Sequence, residues 1–487
     1  MARTTTPGRR PGPRGWRGRG GGASTYVQAP AEWRGTSVQV CGLWPFAAGS
    51  GAPVVGVPLG HHLHTGATVG CDPISWFERG NLINNPSAFV MGLPAYGKST
   101  LVRRMVLGLT GYGVMPLVLG DLKPDYVDLV EALGGQVVRY GPGRAKINVL
   151  DPGEAHAAAA RLTGQARVEV LADAHQRRLE MVVALSNIWR KRPPESISVQ
   201  ILDRALHVLD DTADRVPVLG DLLNVIQDGP ESVRAVAVDR GDKNRYQEIT
   251  RDIEVDLVGF TTGAAFGDMF SGHTTTPLHL DRPAVFDVSS LGEAQADVKA
   301  AALLSCWSYG FGAVNIANAL ADAGLEPQRH YFIVMDELWQ ALRAGEGMVD
   351  RVDALTRLNR QKGVGQVMIS HTMSDLAALP ELDQKKARGF VERSGMVILG
   401  ALPEDEMPKL SGAVKLARAE QDLLTSWTTP TSWGSSADAE ASPPPGRGKF
   451  LIKVGGRPGI PLNVALTSVE QGLHNTNKRW NLGRWPA

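Results

Sequence analysis

The hydrophobic residues of this chain cluster in short runs separated by longer stretches with helical periodicity. Six runs rich in Val, Ile, Leu, Phe and Met occupy residues 87–93, 116–121, 283–289, 331–337, 366–371 and 396–401. Continuous apolar runs of this length are typical of strands that are buried on both faces, as in parallel sheets. Because parallel strands need long crossover connections, which are usually helices, the alternation predicts an α/β fold.

One long segment, residues 153–262, departs from this alternation because no run within it resembles a strand. Its clearest feature is the amphipathic stretch over residues 167–191. The pattern predicts an all-helical subdomain inserted into the α/β domain. Near the C-terminus, two β-branched runs, residues 449–455 and 461–467, flank a short segment containing Gly and Pro. This pattern predicts a β-hairpin that returns to the body of the protein.

The composition, 43% hydrophobic and 21% charged over 487 residues, is that of a soluble, folded chain with room for roughly two to four domains. Residues 1–25 are rich in Gly, Arg and Pro and are predicted to be disordered, and residues 427–448, with three consecutive prolines, are predicted to be a linker or exposed loop. The predicted segments are the tail (1–25), the first part of the core (26–152), the helical subdomain (153–262), the rest of the core (263–426), the linker (427–448) and the C-terminal hairpin and tail (449–487).

Charge is nearly balanced overall but uneven along the chain. There are 51 Lys and Arg against 50 Asp and Glu, a formal charge of +1 that excludes a uniformly basic DNA-coating protein. Six arginines precede the first acid, Glu32, so a basic tail leads into a mildly acidic body. The tail is either a solubilising extension or an Arg/Gly segment that contacts nucleic acid or an acidic lipid surface, and its composition fits both.

The cysteines and the N-terminus bear on the compartment. Cys41, Cys71 and Cys306 are widely spaced without a CxxC pair, so neither a disulfide framework nor a cysteine zinc site is indicated. No apolar segment typical of a signal peptide follows the N-terminal arginines, and no run of 18 uninterrupted apolar residues occurs. We therefore expect a cytoplasmic protein that reaches a membrane only through partners.

The most informative motif is GLPAYGKST, which satisfies GxxxxGK[ST] between an apolar run and an amphipathic stretch. In this strand–loop–helix context, backbone N–H groups and the helix N-terminus surround phosphates. We expect Lys98 to reach the β- and γ-phosphates of ATP, Ser99 to bind Mg²⁺, and Thr100 to face the α-phosphate. The predicted nucleotide-binding residues are Gly92, Leu93, Pro94, Ala95, Tyr96, Gly97, Lys98, Ser99 and Thr100.

A second apolar run, YFIVMDEL, ends in two acids, Asp336 and Glu337. Together with a P-loop, this pattern predicts that Asp336 holds Mg²⁺ through water and that Glu337 acts as the general base that orients the attacking water. An apolar run followed by acids is weak evidence alone, since acids also cap helices. The pair favours ATP hydrolysis over binding alone.

A third run, GQVMISH, ends at His371. A polar side chain in this position can sense the γ-phosphate through a hydrogen bond that changes on hydrolysis. The other interpretation is an ordinary histidine at a strand end or helix cap, and the sequence leaves both open.

With these landmarks in place, the chain resembles the FtsK–HerA superfamily of ring ATPases, most closely the VirB-type assembly ATPases of type IV secretion and conjugation systems. Three further stretches carry the resemblance. Residues 116–152 contain a strand ending in Asp121, a paired glycine, a short strand and an INVLD element. Residues 266–291 lead through an FGDMF turn into a strand ending FDVSS, and residues 462–480 are similar to the family's closing strand and TN tail.

The resemblance implies a RecA-like P-loop NTPase fold with a mostly parallel sheet, and a homo-oligomer that is expected to be a hexamer. It further implies that the partners are envelope secretion or conjugation components, and that DNA is a possible partner. The implied location is the cytoplasm, at the inner face of the membrane. Two features depart from the family. His371 stands where Gln is usual, and only about 60 residues separate the tail from the P-loop strand, which suggests a compact motor core.

Ring ATPases of this superfamily complete each site with an arginine from the neighbouring subunit, which stabilises charge on the transferred phosphoryl group. The candidates here are Arg357, Arg360 and Arg393, of which Arg393 is preferred because it precedes the run at 396–401. Ordinary surface ion pairs are the alternative for each of them.

Three functions follow from these patterns. The leading one is an ATP-hydrolysing motor for macromolecular transfer in a secretion or conjugation machine. The second is a DNA translocase or coupling protein, although the acidic body does not indicate a basic pore. The third is a scaffold whose assembly depends on ATP binding, and Glu337 argues against it.

Overall fold

The predicted alternation of strands and helices forms one eleven-stranded sheet in the computed structural model of the chain. The structure describes residues 53–263, 266–292, 295–343, 348–356, 363–428 and 444–473. The strands are β1 (Pro58–His62), β2 (Thr68–Gly70), β3 (Ser87–Met91), β4 (Met115–Asp121), β5 (Gln136–Arg139), β6 (Ala284–Asp287), β7 (Tyr331–Met335), β8 (Val364–Ile369), β9 (Met396–Leu399), β10 (Lys449–Lys453) and β11 (Ile460–Val464).

The strand order is β2-β1-β11-β10-β9-β3-β8-β7-β4-β6-β5. Strands β9 to β5 in this order are parallel, and β10, β11, β1 and β2 extend the sheet with antiparallel pairs. In parallel strands the carboxyl ends meet at one edge. The segments that follow β3, β8, β7 and β4 therefore emerge side by side, and these segments contain the P-loop, His371, the two acids and Asp121.

Helices connect the strands and cover both faces of the sheet. They are α1 (Pro73–Glu78), α2 (Lys98–Gly111), α3 (Val127–Ala132), α4 (Ala155–Arg161), α5 (Gly164–Arg190), α6 (Ser196–Thr212), α7 (Leu219–Asp228), α8 (Glu231–Ala237), α9 (Lys243–Thr262), α10 (Gly267–Phe270), α11 (Ala296–Asp322), α12 (Leu338–Leu342), α13 (Met348–Thr356), α14 (Met373–Ala377), α15 (Glu381–Arg393), α16 (Met407–Ala413), α17 (Arg418–Ser426) and α18 (Ser468–Leu473). A short 3₁₀ turn, Glu404–Glu406, precedes α16.

Helices α4 to α9 form the helical insert. The longest, α5, begins at Gly164 and includes the amphipathic stretch predicted from the sequence. Its C-terminal half is mostly buried, and the apolar face of α6, which includes Ile201, Leu202 and Leu206, joins the same core. The insert is thus packed against the body through a continuous apolar core.

Helix α11 is the one described helix long and apolar enough to cross a membrane by length and composition. Most of its apolar stretch is buried within the fold, where it packs against β4 and α5. Its apolar character is therefore accounted for by the core.

The predicted fold class is confirmed: an α/β fold with a mostly parallel sheet, a helical insert and a C-terminal antiparallel hairpin. All six predicted apolar runs contain strands. The sequence did not predict β1 and β2, which pair with each other and with the hairpin. Trp427, placed at the start of the predicted linker, is buried. The tail, residues 429–443 of the linker and the TN segment lie outside the described residues.

Candidate functional site

The P-loop joins β3 to α2 in a turn anchored from two sides. Leu93 N–H donates to the carbonyl of Ala401 at 2.9 Å, and Gly448 N–H donates to the carbonyl of Tyr96 at 3.0 Å. Gly97 has φ of 97°, in the left-handed region that favours glycine, and α2 begins at the next residue. The loop therefore closes directly onto a helix N-terminus.

The N–H groups of this loop fit a polyphosphate. Within the part of the chain that the structure describes, the N–H groups of Ala95, Tyr96 and Gly97 have no hydrogen-bond acceptor. The first N–H groups of α2 add donors and the positive end of the helix dipole. This arrangement is the one that cradles phosphate groups in P-loop proteins.

Lys98 lies at the centre of the site. Its Nζ donates to the carbonyl oxygens of Gly92 at 2.7 Å and Leu93 at 3.1 Å, and it lies 3.0 Å from Nδ1 of His371. The side chain is almost fully buried, and burial lowers the pKa of Lys98 to about 8 although Asp336 and Glu337 oppose the shift. The ammonium group is thus held inside the loop, where the charges of Asp336 and Glu337 favour its protonated form.

Asp336 and Glu337 follow β7, two strands away from the P-loop strand. Oδ2 of Asp336 accepts a hydrogen bond from the hydroxyl of Tyr126 at 3.2 Å. Burial, together with the neighbouring carboxylate of Glu337, raises the pKa of Asp336 to about 7. A cation bound here would relieve this accumulation of negative charge, so the position suits a metal ion.

Three side chains with donor groups surround the carboxylate of Glu337. Lys123 Nζ lies 2.6 Å from Oε1, and Oε2 accepts from Trp339 Nε1 at 2.6 Å and lies 3.3 Å from His371 Nε2. Burial alone would raise the pKa of Glu337, but the bonds to His371 and Lys123 outweigh it and hold that pKa well below its usual range. The residue also has φ of 51°, an uncommon conformation for a residue other than glycine, which turns the chain sharply into α12.

His371 connects the P-loop to Glu337. Because an ammonium group has only donors, Nδ1 accepts from Lys98, and the proton of a neutral ring then lies on Nε2, facing Glu337. This tautomer is assigned from the hydrogen-bond partners. Lys98, His371 and Glu337 thus form a continuous chain of polar contacts across the sheet edge.

A further element of the site was missed by the sequence analysis: the turn after β4, residues 121–126. Lys123 binds Glu337, Asp125 accepts a hydrogen bond from Ser99, and Tyr126 binds Asp336. Burial raises the pKa of Asp125 although the bond from Ser99 opposes the shift. The signal in the sequence is the polar motif DLKPDY directly after an apolar run. Of this motif, the sequence prediction included only Asp121.

Asp121 holds this turn in place. Its carboxylate accepts from the N–H groups of Tyr126 at 2.7 Å, Asp125 at 3.0 Å and Lys123 at 3.4 Å. Burial raises the pKa of Asp121 to about 7, and these backbone bonds oppose the shift. The carboxylate is committed to the turn, so its contribution to the site is structural.

The structure brings Lys98, Ser99, Asp336, Glu337 and His371 together but places Arg393 elsewhere. Arg393 ends α15, just before β9, and therefore lies at the amino edge of the sheet, away from the P-loop of its own subunit. Its half-exposed guanidinium pairs with Asp353. The other two arginine candidates, Arg357 and Arg360, lie outside the described residues.

The parallel sheet with a P-loop at its carboxyl edge defines the chain as an α/β protein of the P-loop NTPase fold. In fold it is similar to VirB4 of Thermoanaerobacter pseudethanolicus, with a TM-score of 0.62 and 18% identity over 87% of this chain and 100% of that chain. It is also similar to the bacterial conjugative coupling protein TrwB in a sulphate complex, with a TM-score of 0.50 and 12% identity over 79% of this chain and 86% of that chain.

A second TrwB structure, in complex with the non-hydrolysable ATP analogue ADPNP, gives a TM-score of 0.50 and 13% identity over 80% of this chain and 87% of that chain. No protein-family model matches the sequence, and no curated protein matches it significantly. At these identities the likeness is one of fold. The fold likeness to VirB4 is the one expected from the sequence.

Proposed function

We propose that the chain is an ATP-hydrolysing ring motor that powers macromolecular transfer in a type IV secretion or conjugation machine. The observation that carries the proposal is the continuous contact chain from Lys98 through His371 to Glu337, which links a phosphate-binding loop to an acid suited to hydrolysis. The fold likeness to VirB4 and TrwB supports the secretion or conjugation context. That context is an analogy of fold, whereas the hydrolytic chemistry is argued from the site.

The binding role belongs to the P-loop and the metal-facing side chains. Lys98 would turn its ammonium from the loop carbonyls to the β- and γ-phosphates, and the free loop N–H groups would hold the phosphate oxygens. Ser99 would bind Mg²⁺ directly and Asp336 through water, with Asp125 as a further nearby oxygen donor, and the ion would neutralise charge on the phosphates. Thr100, one residue after Ser99, would face the α-phosphate.

The hydrolytic role belongs to Glu337 and the residues that hold it. Its depressed pKa keeps Glu337 ionised, so the carboxylate can accept a hydrogen bond from water and orient it. Lys123 positions this carboxylate. A γ-phosphate would compete with His371 for the Lys98 ammonium, and the strength of the His371–Glu337 contact would then depend on the nucleotide bound.

The two alternatives make different predictions for the same assay, phosphate release by purified protein with and without double-stranded DNA. We expect steady release that is indifferent to DNA, as for an assembly motor. Stimulation by DNA would favour a translocase or coupling protein. Binding of ATP without release would favour the ATP-dependent scaffold and would contradict the assignment of Glu337.

The proposed assembly is a homo-oligomer, with a hexamer as the expected ring, at the inner face of the membrane and held there by envelope components. Arg393 is the proposed trans-acting arginine. Its place at the sheet edge opposite the P-loop excludes a role in the site of its own subunit, and its half-exposed guanidinium would have to exchange Asp353 for a neighbour's phosphate. A subunit without a neighbour would then have an incomplete site.

Arg393→Ala is expected to lower turnover by about 10³-fold or more and to leave ATP affinity nearly unchanged. The rate of phosphate release by the wild-type protein should rise more steeply than linearly with protein concentration. Steady-state phosphate release over a dilution series of each protein measures the loss of turnover and the dependence on concentration. Arg388→Ala is the matched control, because Arg388 is a similarly exposed arginine on the same helix, paired with Glu392.

Mixing two inactive variants provides the sharper test. Lys98→Ala subunits retain Arg393 and Arg393→Ala subunits retain Lys98, so mixed rings should recover part of the activity at shared interfaces. No recovery despite demonstrated co-assembly would exclude Arg393. Specific activity that stays constant from dilute to concentrated protein would exclude the ring mechanism altogether.

A further inference from the structure

A cluster of histidines and acids lies on the helical insert, outside the nucleotide site. His175 belongs to α5, and Asp203, His207 and Asp210 occupy one face of α6 at i, i+4 and i+7. The nearest ligand atoms of His175, Asp203 and His207 all lie within 4.8 Å of one another. None of these residues has a role in the proposed hydrolytic site.

Three possible ligand atoms lie close together where α5 and α6 meet. Nε2 of His175 lies 2.9 Å from Oδ1 of Asp203, and Nε2 of His207 lies 4.0 Å from the same oxygen. The two imidazole rings stack with centroids 3.9 Å apart and planes 15° apart, so the half-exposed His207 ring must turn out of the stack for both rings to bind one ion. His175 is mostly buried, whereas His207 and Asp203 are about half exposed, so an ion has access from solvent.

The residues behind His175 provide a second, independent observation. Its other nitrogen, Nδ1, lies 3.1 Å from Oδ2 of Asp210, and Arg178 binds that carboxylate through two bonds of 2.7 Å. A metal-binding histidine almost always donates its second N–H to a carboxylate or carbonyl, which fixes its tautomer and ring orientation. Nε2 also faces a carboxylate oxygen, that of Asp203, and donates to it; an ion bound between them would replace the Nε2 proton while the Nδ1 proton stays on Asp210.

We propose that His175, Asp203 and His207 bind Zn²⁺, with water as a fourth ligand and Asp210 as the carboxylate that orients His175. Two imidazoles and one carboxylate form a donor set that zinc accepts in tetrahedral geometry. The ion joins α5 to α6 and so stabilises the insert. Mg²⁺ prefers octahedral oxygen ligands, so this site is distinct in chemistry from the nucleotide metal site.

Calorimetric titration of the full-length chain with Zn²⁺, in buffer containing excess Mg²⁺, tests the proposal. We expect one Zn²⁺ per chain and a higher thermal midpoint with Zn²⁺, since a ligand that binds only the folded state stabilises it. Co²⁺ in place of Zn²⁺ should give the visible absorption of a tetrahedral site. These measurements do not depend on ATP hydrolysis, so they test the zinc site separately from the proposed function.

Variants of the cluster identify the ligands. Asp210→Asn should weaken binding by about 10- to 100-fold, and His207→Ala, which removes a ligand, by at least as much. His156→Ala is the matched control, because His156 is an exposed histidine on the neighbouring helix α4, and it should leave affinity unchanged. Since His207 is half exposed, His207→Ala is expected to fold, which circular dichroism checks. Absence of stoichiometric binding by the folded wild type, or equal affinity in His207→Ala, would overturn the proposal.

Discussion

Replacing Lys98 by alanine is expected to abolish ATP hydrolysis and to weaken nucleotide binding. Lys98 is the cation that the P-loop itself directs into the site, where its ammonium lies close to Asp336 and Glu337. Without it, the charge on the β- and γ-phosphates has no positive partner from the loop, and the link to His371 is lost. Phosphate release and binding of a fluorescent ATP analogue, measured on the same preparation, check both parts of the prediction.

The control for this variant is Lys415→Ala, which removes an exposed lysine and should change neither quantity. Circular dichroism establishes that Lys98→Ala is folded, so that the loss is assigned to chemistry. Turnover near the wild-type level in folded Lys98→Ala protein would show that the P-loop assignment is wrong.

Glu337→Gln is expected to separate binding from hydrolysis. The amide is nearly isosteric and its oxygen can still accept from Lys123, but its NH2 group cannot accept from Trp339 and His371 as Oε2 does. The amide lacks the negative charge that orients water and accepts a proton, so turnover should fall by about 10²- to 10⁴-fold. ATP binding should persist, and the protein should accumulate in its ATP-bound assembly, which single-turnover kinetics and analytical ultracentrifugation detect.

Glu392→Gln is the comparison, because Glu392 is an exposed glutamate in a surface ion pair. It should retain wild-type turnover. If Glu337→Gln also retained it, the general base would have to be sought elsewhere, and Asp125, on the turn that faces the same site, would be the next residue to replace.

The parts of the fold predicted from sequence are those with a strong local signal. The buried parallel strands appear as continuous apolar runs, and the P-loop combines a motif with its strand and helix. By contrast, β1 contains Pro58, Gly60 and two histidines, and β2 has three residues, so neither resembles a strand by composition. β1 is a strand because the hairpin strand β11 offers an edge to pair with, and β2 pairs in turn with β1, so both depend on tertiary contacts.

The missed part of the site has a different cause. Lys123 contacts Glu337 across 214 residues of sequence because β4 lies beside β7 in the sheet. Strand order cannot be deduced from the periodicity of individual runs, so no local pattern joins these two residues. The contacts that hold Glu337 ionised depend on that order. Sequence reasoning could therefore predict the acid but not its electrostatic state.

The sheet order has a consequence for synthesis of the protein. The P-loop strand β3 is made early, but both of its neighbours in the sheet, β8 and β9, come from the last third of the chain. Lys98 and His371 are 273 residues apart. At roughly 5–20 residues per second, a ribosome needs about 15 to 55 s to make the intervening chain.

During that interval the two strands that flank β3 in the finished sheet have not yet been made. The backbone N–H and C=O groups of β3 therefore lack their final partners. A growing chain in this state exposes apolar surface and unpaired strand edges, and such chains tend to aggregate unless chaperones bind them. ATP cannot assist at this stage, because the residues proposed to respond to it have not all emerged. The nucleotide site is thus among the last features to form, although its signature motif is among the first to be translated.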